Sequence, residues 1–254
     1  MHTVSGKSVI LTGGAGDIAQ VALKLFVEAG AKVMLVDLDE NHLQAITDKF
    51  NASDVQYCVA DVTSESDTAS YVAATLQAFG KVDVLLANAG IVGPVAAVSE
   101  VDTQSFQQVL DINVTGVFLG LKHVFPVMAS NGGGSIVITS SIMGVSGGPG
   151  LSAYAASKHA VVGLMRSCAK EGGAHNIRVN TVNPAPAEGR MMRSLEQGLS
   201  PDDPQAQYAA IKATIPLERY ASTEDVANMM LFLASDESRF LNGSVYMVDG
   251  GMNA

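Results

Sequence analysis

Short apolar runs recur along the chain at residues 8–11, 32–36, 55–59, 82–87, 135–139, 178–182 and 244–248. Each is about strand length and rich in Val and Ile. Their apolar residues are consecutive rather than alternating, the pattern of strands covered on both faces. Between them lie longer segments with helical patterning, at 18–29, 42–49, 67–79, 105–128, 153–172 and 223–234. Ser222 precedes the last of these as a plausible N-cap, and Glu224 and Asp225 place negative charge in its first turn. Seven strands alternating with helices predict one α/β domain with a doubly wound parallel sheet flanked by helices. No composition break divides residues 1–254. The least regular segment, 184–216, includes an exposed turn at "SPDDP" and is expected to act as a substrate lid.

A length of 254 residues suits one such domain. Apolar residues make up 48% and charged residues 16%, enough for a large core and a hint of a buried oligomer interface. The net charge of −10, with no Lys/Arg run, argues against nucleic acid and against an anionic membrane. The start "MHTVSGKSVILTGG" lacks the pattern of a secretory leader. No stretch reaches the roughly 18 uninterrupted apolar residues of a membrane span. Cys58 and Cys168 are expected to be buried reduced thiols. These features together predict a cytoplasmic protein.

The first strand runs directly into "TGGAGDIA", with glycines at Gly13, Gly14 and Gly16, and a helix follows. A strand, glycine turn and helix is the setting of a dinucleotide site, because the helix N-terminus offers unpaired N–H groups and a positive dipole end to a pyrophosphate. About 20 residues on, the second strand ends at Asp37, followed by Leu38. A carboxylate there can accept both adenosine ribose hydroxyls and would repel a 2′-phosphate. Neither Gly16 nor Leu38 supplies an offsetting positive charge, so NAD is expected rather than NADP. Asp61 follows the third strand, and Asn88-Ala89-Gly90 follow the fourth. Both lie at the carboxyl ends of strands, where open α/β sheets bind ligands.

"SAYAASKHA" places Tyr154 and Lys158 four residues apart, on one face of a helix. Ser141 lies thirteen residues before Tyr154, just after a strand, and Asn113 stands inside a long helical pattern in "LDINVTGVFLG". With "TGGAGDIA", "ADV", "NAG", "NVTG", "ITSS", "YAASK", "RVNTVNPAP" and "VYMVDGG" in this order, the chain resembles the short-chain dehydrogenase/reductase family over its full length. The resemblance implies a single Rossmann-type domain with a catalytic tetrad of Asn113, Ser141, Tyr154 and Lys158. Tyr154 would exchange the substrate proton and Ser141 would orient the substrate oxygen. Lys158 would hold the nicotinamide ribose, and Asn113 a water linking Lys158 to solvent. A free phenol, with a pKa near ~10, is a poor base at neutral pH. The Lys158 ammonium is expected to favour the phenolate, about 4 kcal/mol for three pKa units.

The residues read as contacting the cofactor are Gly13, Gly16, Asp17 and Ile18, then Asp37 and Leu38, Asp61 and Val62, and Asn88, Ala89 and Gly90. Tyr154, Lys158, Pro184 and Ala187 complete the set. Ser141, Met143, Tyr154, Met191 and Met192 are expected to line the substrate pocket, the methionines as an adaptable apolar wall. No metal is called for, since His2, His42, His123, His159 and His175 show no ligand spacing. The family pattern also implies a homotetramer. The reaction expected is interconversion of a small apolar secondary alcohol and its ketone. The alternatives are reduction of a 3-oxoacyl thioester on a carrier protein, and a nucleotide-binding relative without catalysis.

Three places depart from the family pattern. Asp17 and Ala19 replace two glycines of the first turn. Ala185 stands where a glycine usually follows Pro184, and Gly189 where a threonine would contact the nicotinamide carboxamide. A carboxylate at 17 suits the helix but repels a pyrophosphate. Its side chain is therefore expected to turn away from the pyrophosphate, toward solvent or a neighbouring backbone donor.

Overall fold

The computed structural model describes residues 4–254, so His2 lies outside it. Seven strands form one sheet, β1 (Ser8–Thr12), β2 (Lys32–Asp37), β3 (Val55–Val59), β4 (Val84–Ala87), β5 (Gly134–Thr139), β6 (Ile177–Pro184) and β7 (Val245–Val248). Their order is β3-β2-β1-β4-β5-β6-β7 and every pairing is parallel. The chain leaves β1 for β2 and β3 on one side, then returns to place β4 on the other. The crevice at that reversal, between β1 and β4, is where this architecture binds ligands.

Among the described residues there are nine α-helices: α1 (Asp17–Glu28), α2 (Glu40–Thr47), α3 (Glu65–Phe79), α4 (Thr103–Leu110), α5 (Gly116–Ser130), α6 (Ser152–Gly172), α7 (Arg190–Leu199), α8 (Pro204–Ala213) and α9 (Thr223–Ala234). Strand side chains alternate between two cores, as the pleat requires. Val9, Leu11, Val33 and Leu35 join the layer of α1 and α9, around Leu23, Phe26 and Met230. Ile10, Met34, Ile136 and Ile138 join the layer of α3, α5 and α6, around Tyr71, Val124 and Met165. The continuous apolar runs in the sequence are therefore strands buried on both sides.

Most predicted elements lie within two residues of the observed ones. The helix expected at 105–128 starts earlier, at Thr103, where Asp102 caps it by accepting the Ser105 N–H at 2.8 Å. It is interrupted by a π-helical turn at Asp111–Thr115. The whole run Thr103–Ser130 is long and apolar enough to cross a membrane by length and composition. Here its positions Val117, Leu121, Val124 and Met128 pack into the core under the sheet. Residues 184–216 are not irregular as expected: they carry α7 and α8. Cys58 and Cys168 are free thiols, but half-buried rather than buried. Partial burial raises the pKa of both.

Ser222 does cap α9, and the structure adds a capping box. The Ser222 hydroxyl accepts the Asp225 N–H at 3.1 Å, and the Asp225 carboxylate accepts the Ser222 N–H at 2.8 Å. Ser222→Ala removes one half of this exchange and is expected to cost about 1 kcal/mol, read as a lower urea midpoint at unchanged slope. An unchanged midpoint would show that the cap contributes nothing to stability.

Candidate active site

An open cavity of about 1150 Å³ runs along the carboxyl edge of the sheet. At one end the chain turns at Gly13, whose φ of +69° and whose approach to the β4 loop both require glycine. A Cβ there would stand 2.9 Å from Ala89 Cα. Gly16, the N-cap of α1, contributes no side-chain cap, so the first turn of α1 faces the cavity with its donors open to a ligand. Asp37 at the end of β2 braces the turn: Oδ2 accepts the Ala15 N–H at 3.0 Å, and Oδ1 the Leu38 N–H at 2.8 Å. Among the described residues, the cations lining the cavity are Lys158 and Arg190. Neither contacts Asp37, so nothing there offsets a 2′-phosphate. Glycine turn, open helix end and ribose-facing carboxylate together fit NAD.

The ends of the central strands are tied to one another. Thr12 Oγ1 accepts from the N–H groups of Asn88 (3.0 Å) and Ala89 (3.2 Å). The Asn88 amide donates to the Thr12 carbonyl at 3.3 Å and accepts from Thr139 Oγ1 at 3.1 Å. Asn88 lines the cavity, but its side chain is spent on joining β1, β4 and β5. Asp61 likewise lines the cavity while accepting from the Thr63 N–H and hydroxyl at 2.8 and 2.7 Å.

The chemical groups lie at the other end. Ser141 lies two residues beyond β5 and caps the short turn Ile142–Gly144, its hydroxyl accepting the Met143 N–H at 3.1 Å. Asn183, at the end of neighbouring β6, fixes the Ser141 carbonyl at 2.7 Å. Tyr154 and Lys158 project from α6, one turn apart. Lys158 is buried, and its ammonium donates to the Thr139 carbonyl at 2.8 Å. Burial pushes its pKa down to about 8, so it remains an ammonium at neutral pH.

The expectation that Lys158 lowers the Tyr154 pKa is not met in this arrangement. Burial raises the phenol pKa, and the hydrogen bond from Ser141 works against that. The ammonium stands 5.5 Å from the centroid of the Tyr154 ring, and burial of the phenol outweighs what lowers its pKa. Tyr154 is therefore a neutral acid at neutral pH, the form needed to donate a proton.

Every residue predicted to bind cofactor or substrate lines this one cavity, including Gly13, Gly16, Asp17, Ile18, Leu38, Val62, Ala89, Gly90, Met143, Pro184, Ala187, Met191 and Met192. Asn113 is the exception among the tetrad: it is 1% exposed and stands behind the wall, in the π turn. Its amide accepts the Ile91 N–H at 2.8 Å and donates to the Ile91 carbonyl at 2.8 Å and to Ser157 Oγ at 2.9 Å. A Cβ placed on Gly90 would stand 3.1 Å from Asn113 Oδ1 and 3.4 Å from Lys158 Nζ, so the two groups flank that glycine. Sequence reasoning did not find Thr12, Thr139, Ser157, Asn183 or Arg190. Each acts through a partner distant in sequence, except Ser157, which also bonds the Tyr154 carbonyl one turn back at 2.7 Å.

The Asp17 carboxylate turns to a backbone donor, but a remote one rather than a neighbour. It accepts the N–H of Arg190 at 2.6 Å and the Arg190 guanidinium at 3.0 Å.

The family described as enoyl-(acyl carrier protein) reductase matches residues 13–253. (+)-Borneol dehydrogenase 2 of Salvia officinalis is 38% identical over 254 residues, spanning 98% of this chain and 90% of that protein. The crystal structure of levodione reductase superposes with a TM-score of 0.94 at 33% identity, covering 97% of each chain. That of NAD+-bound xylitol dehydrogenase superposes at 0.93 with 30% identity, covering 97% of this chain and 99% of that one. With its seven-stranded parallel sheet and its glycine turn, serine, tyrosine and lysine on one cavity, the chain belongs to the short-chain dehydrogenase/reductase family.

Proposed function

We propose that this chain interconverts a small to medium apolar secondary alcohol, cyclic or aryl, and the matching ketone. It is an oxidoreductase of CH–OH groups that uses NAD(H). The observation that carries this reading is a single cavity with a dinucleotide turn at one end and Ser141, Tyr154 and Lys158 at the other. Met143, Leu151, Met191, Met192 and Leu195 line it as well and give the substrate an apolar surround. The names of borneol dehydrogenase and levodione reductase point the same way.

NAD(H), when bound, accepts or supplies the hydride. The Ser141 hydroxyl orients the substrate oxygen. Tyr154 donates a proton to that oxygen in reduction and takes it back in oxidation. Lys158, anchored on the Thr139 carbonyl, would hold the nicotinamide ribose and keeps a positive charge beside the Tyr154 ring. Asn113 locks the loop after β4 beside Lys158, and a water held there would connect Lys158 to solvent.

The protein is read as a cytoplasmic homotetramer. Phe118 on α5, 47% exposed, and the half-exposed edge strand β7 support an interface between subunits.

A panel of cyclic and aryl ketones tests the substrate class, with a 3-oxoacyl thioester as a second arm. Turnover of a cyclic ketone is expected, with kcat/KM at least tenfold higher for NADH than for NADPH. A preference for the thioester with NADPH would overturn the reading.

A further inference from the structure

The two departures that looked separate in sequence, Asp17 and Gly189, meet in space. Gly189 has φ +151°, and a Cβ on it would stand 2.6 Å from Asp17 Oδ2. The missing side chain makes room for the carboxylate. Gly189 is the N-cap of α7 and contributes no cap of its own. Asp17 fills that role from 173 residues away, accepting the N–H of Arg190, the first residue of α7, at 2.6 Å. One carboxylate thus sits at the positive ends of two helices, α1 and α7. Arg190 completes the clasp: Nε donates to Asp17 Oδ1 at 3.0 Å and Nη2 to the Ala15 carbonyl at 2.7 Å.

As an ion pair this clasp adds little to stability. The Arg190 side chain is 61% exposed and that of Asp17 32%, and exposed pairs contribute little. Its importance lies in where the charges stand. Gly16, Asp17, Ile18, Gly189 and Arg190 all line the cavity at the first turn of α1, the place for a pyrophosphate. An unpaired carboxylate there would repel the phosphates. A guanidinium held on the same turn offsets that charge, and the N–H groups it does not give to Asp17 and Ala15 suit phosphate oxygens. The expected cost of Asp17 to cofactor binding is therefore met by a residue of the lid.

We propose that Arg190 is a binding residue for the phosphates of the dinucleotide and that Asp17 is its positioning residue, so that the segment carrying α7 is recruited to the cofactor by charge. This rests on the NAD(H) reading above.

Fluorescence titration of NADH into the wild type and the variants R190Q, D17N, D17N/R190Q and R190K tests it. R190Q leaves the Asp17 carboxylate bare and is expected to weaken NADH binding tenfold or more. Removing that carboxylate as well, in D17N/R190Q, is expected to recover at least threefold of the loss, and R190K should restore part of it. Adenosine, which lacks phosphates, should bind all five proteins alike, and thermal melts should coincide within a few degrees. An R190Q protein that binds NADH as tightly as wild type would overturn the proposal. So would a double variant no better than R190Q, or an equal loss for adenosine. A wild-type protein that binds no NADH would overturn the cofactor reading itself, whereas tight wild-type binding with an unaffected R190Q overturns only the clasp.

Discussion

Tyr154→Phe is expected to lower turnover by roughly 10²–10⁴-fold in both directions, the usual contribution of a positioned proton donor. NADH affinity should stay within about twofold. The ring, and with it the surface facing Lys158, is retained, and only the hydroxyl that Ser141 bonds is lost. In the wild type the raised phenol pKa gives the two directions opposite pH profiles. Reduction needs the phenol and falls as pH rises through its pKa. Oxidation needs the phenolate and rises over the same range. The Phe variant should lose both slopes along with its rate. Steady-state kinetics of ketone reduction and alcohol oxidation across pH, with a parallel NADH titration, checks this. A variant that kept a tenth of the wild-type kcat would remove Tyr154 from the proton-transfer step.

The second large effect is on stability. Asn113→Leu keeps the approximate volume of a side chain that is 1% exposed but leaves the Ile91 N–H and carbonyl without their partner, while the Ser157 hydroxyl keeps its bond to the Tyr154 carbonyl. Each buried group left without a partner costs about 1–3 kcal/mol, so the variant is expected to lose roughly 2 kcal/mol or more. The same change frees the loop after β4, whose Ile91 and Val92 line the cavity, so kcat should fall even under conditions where the protein is folded. Urea denaturation gives the first quantity and turnover at low temperature the second. A stability loss below about 1 kcal/mol would mean that the two Ile91 groups find other partners.

Much of this was legible in the chain because the signals are local. The β-strands announce themselves by consecutive Val and Ile, and α9 by Ser222 with acidic residues after it. The cavity-lining residues were legible because they sit at strand ends, which the alternation of elements already locates. Asn113 could be named, but not its π turn, since nothing in "LDINVTG" distinguishes five residues of wider helix from the α-helix around them. Helices α7 and α8 were hidden by their punctuation. "SPDDP" reads as a turn, yet Asp203 caps α8 by accepting the Ala206 N–H at 2.9 Å, and Pro204 occupies its first position, where proline is at home. The raised Tyr154 pKa was not legible because sequence gives the spacing of two side chains but not how deeply the phenol is buried. Arg190 carried no local signal at all. Its partner lies at the opposite end of the chain, and only the closed fold makes Asp17 and Gly189 parts of one arrangement.

The position of β1 between β2 and β4 sets an order of events during folding. Its partner β2 follows within some twenty residues, but β4, its other neighbour, arrives only after two crossovers have been completed. The bonds from Asn88 to Thr12 span 76 residues and close the crevice between those strands. Formation of such distant contacts is slow compared with local ones. The dinucleotide crevice is thus absent from the amino-terminal βαβαβ piece on its own. A nascent chain must emerge beyond Asn88 before it can hold cofactor, and from then on bound NAD(H) favours the state in which the two halves of the sheet are joined.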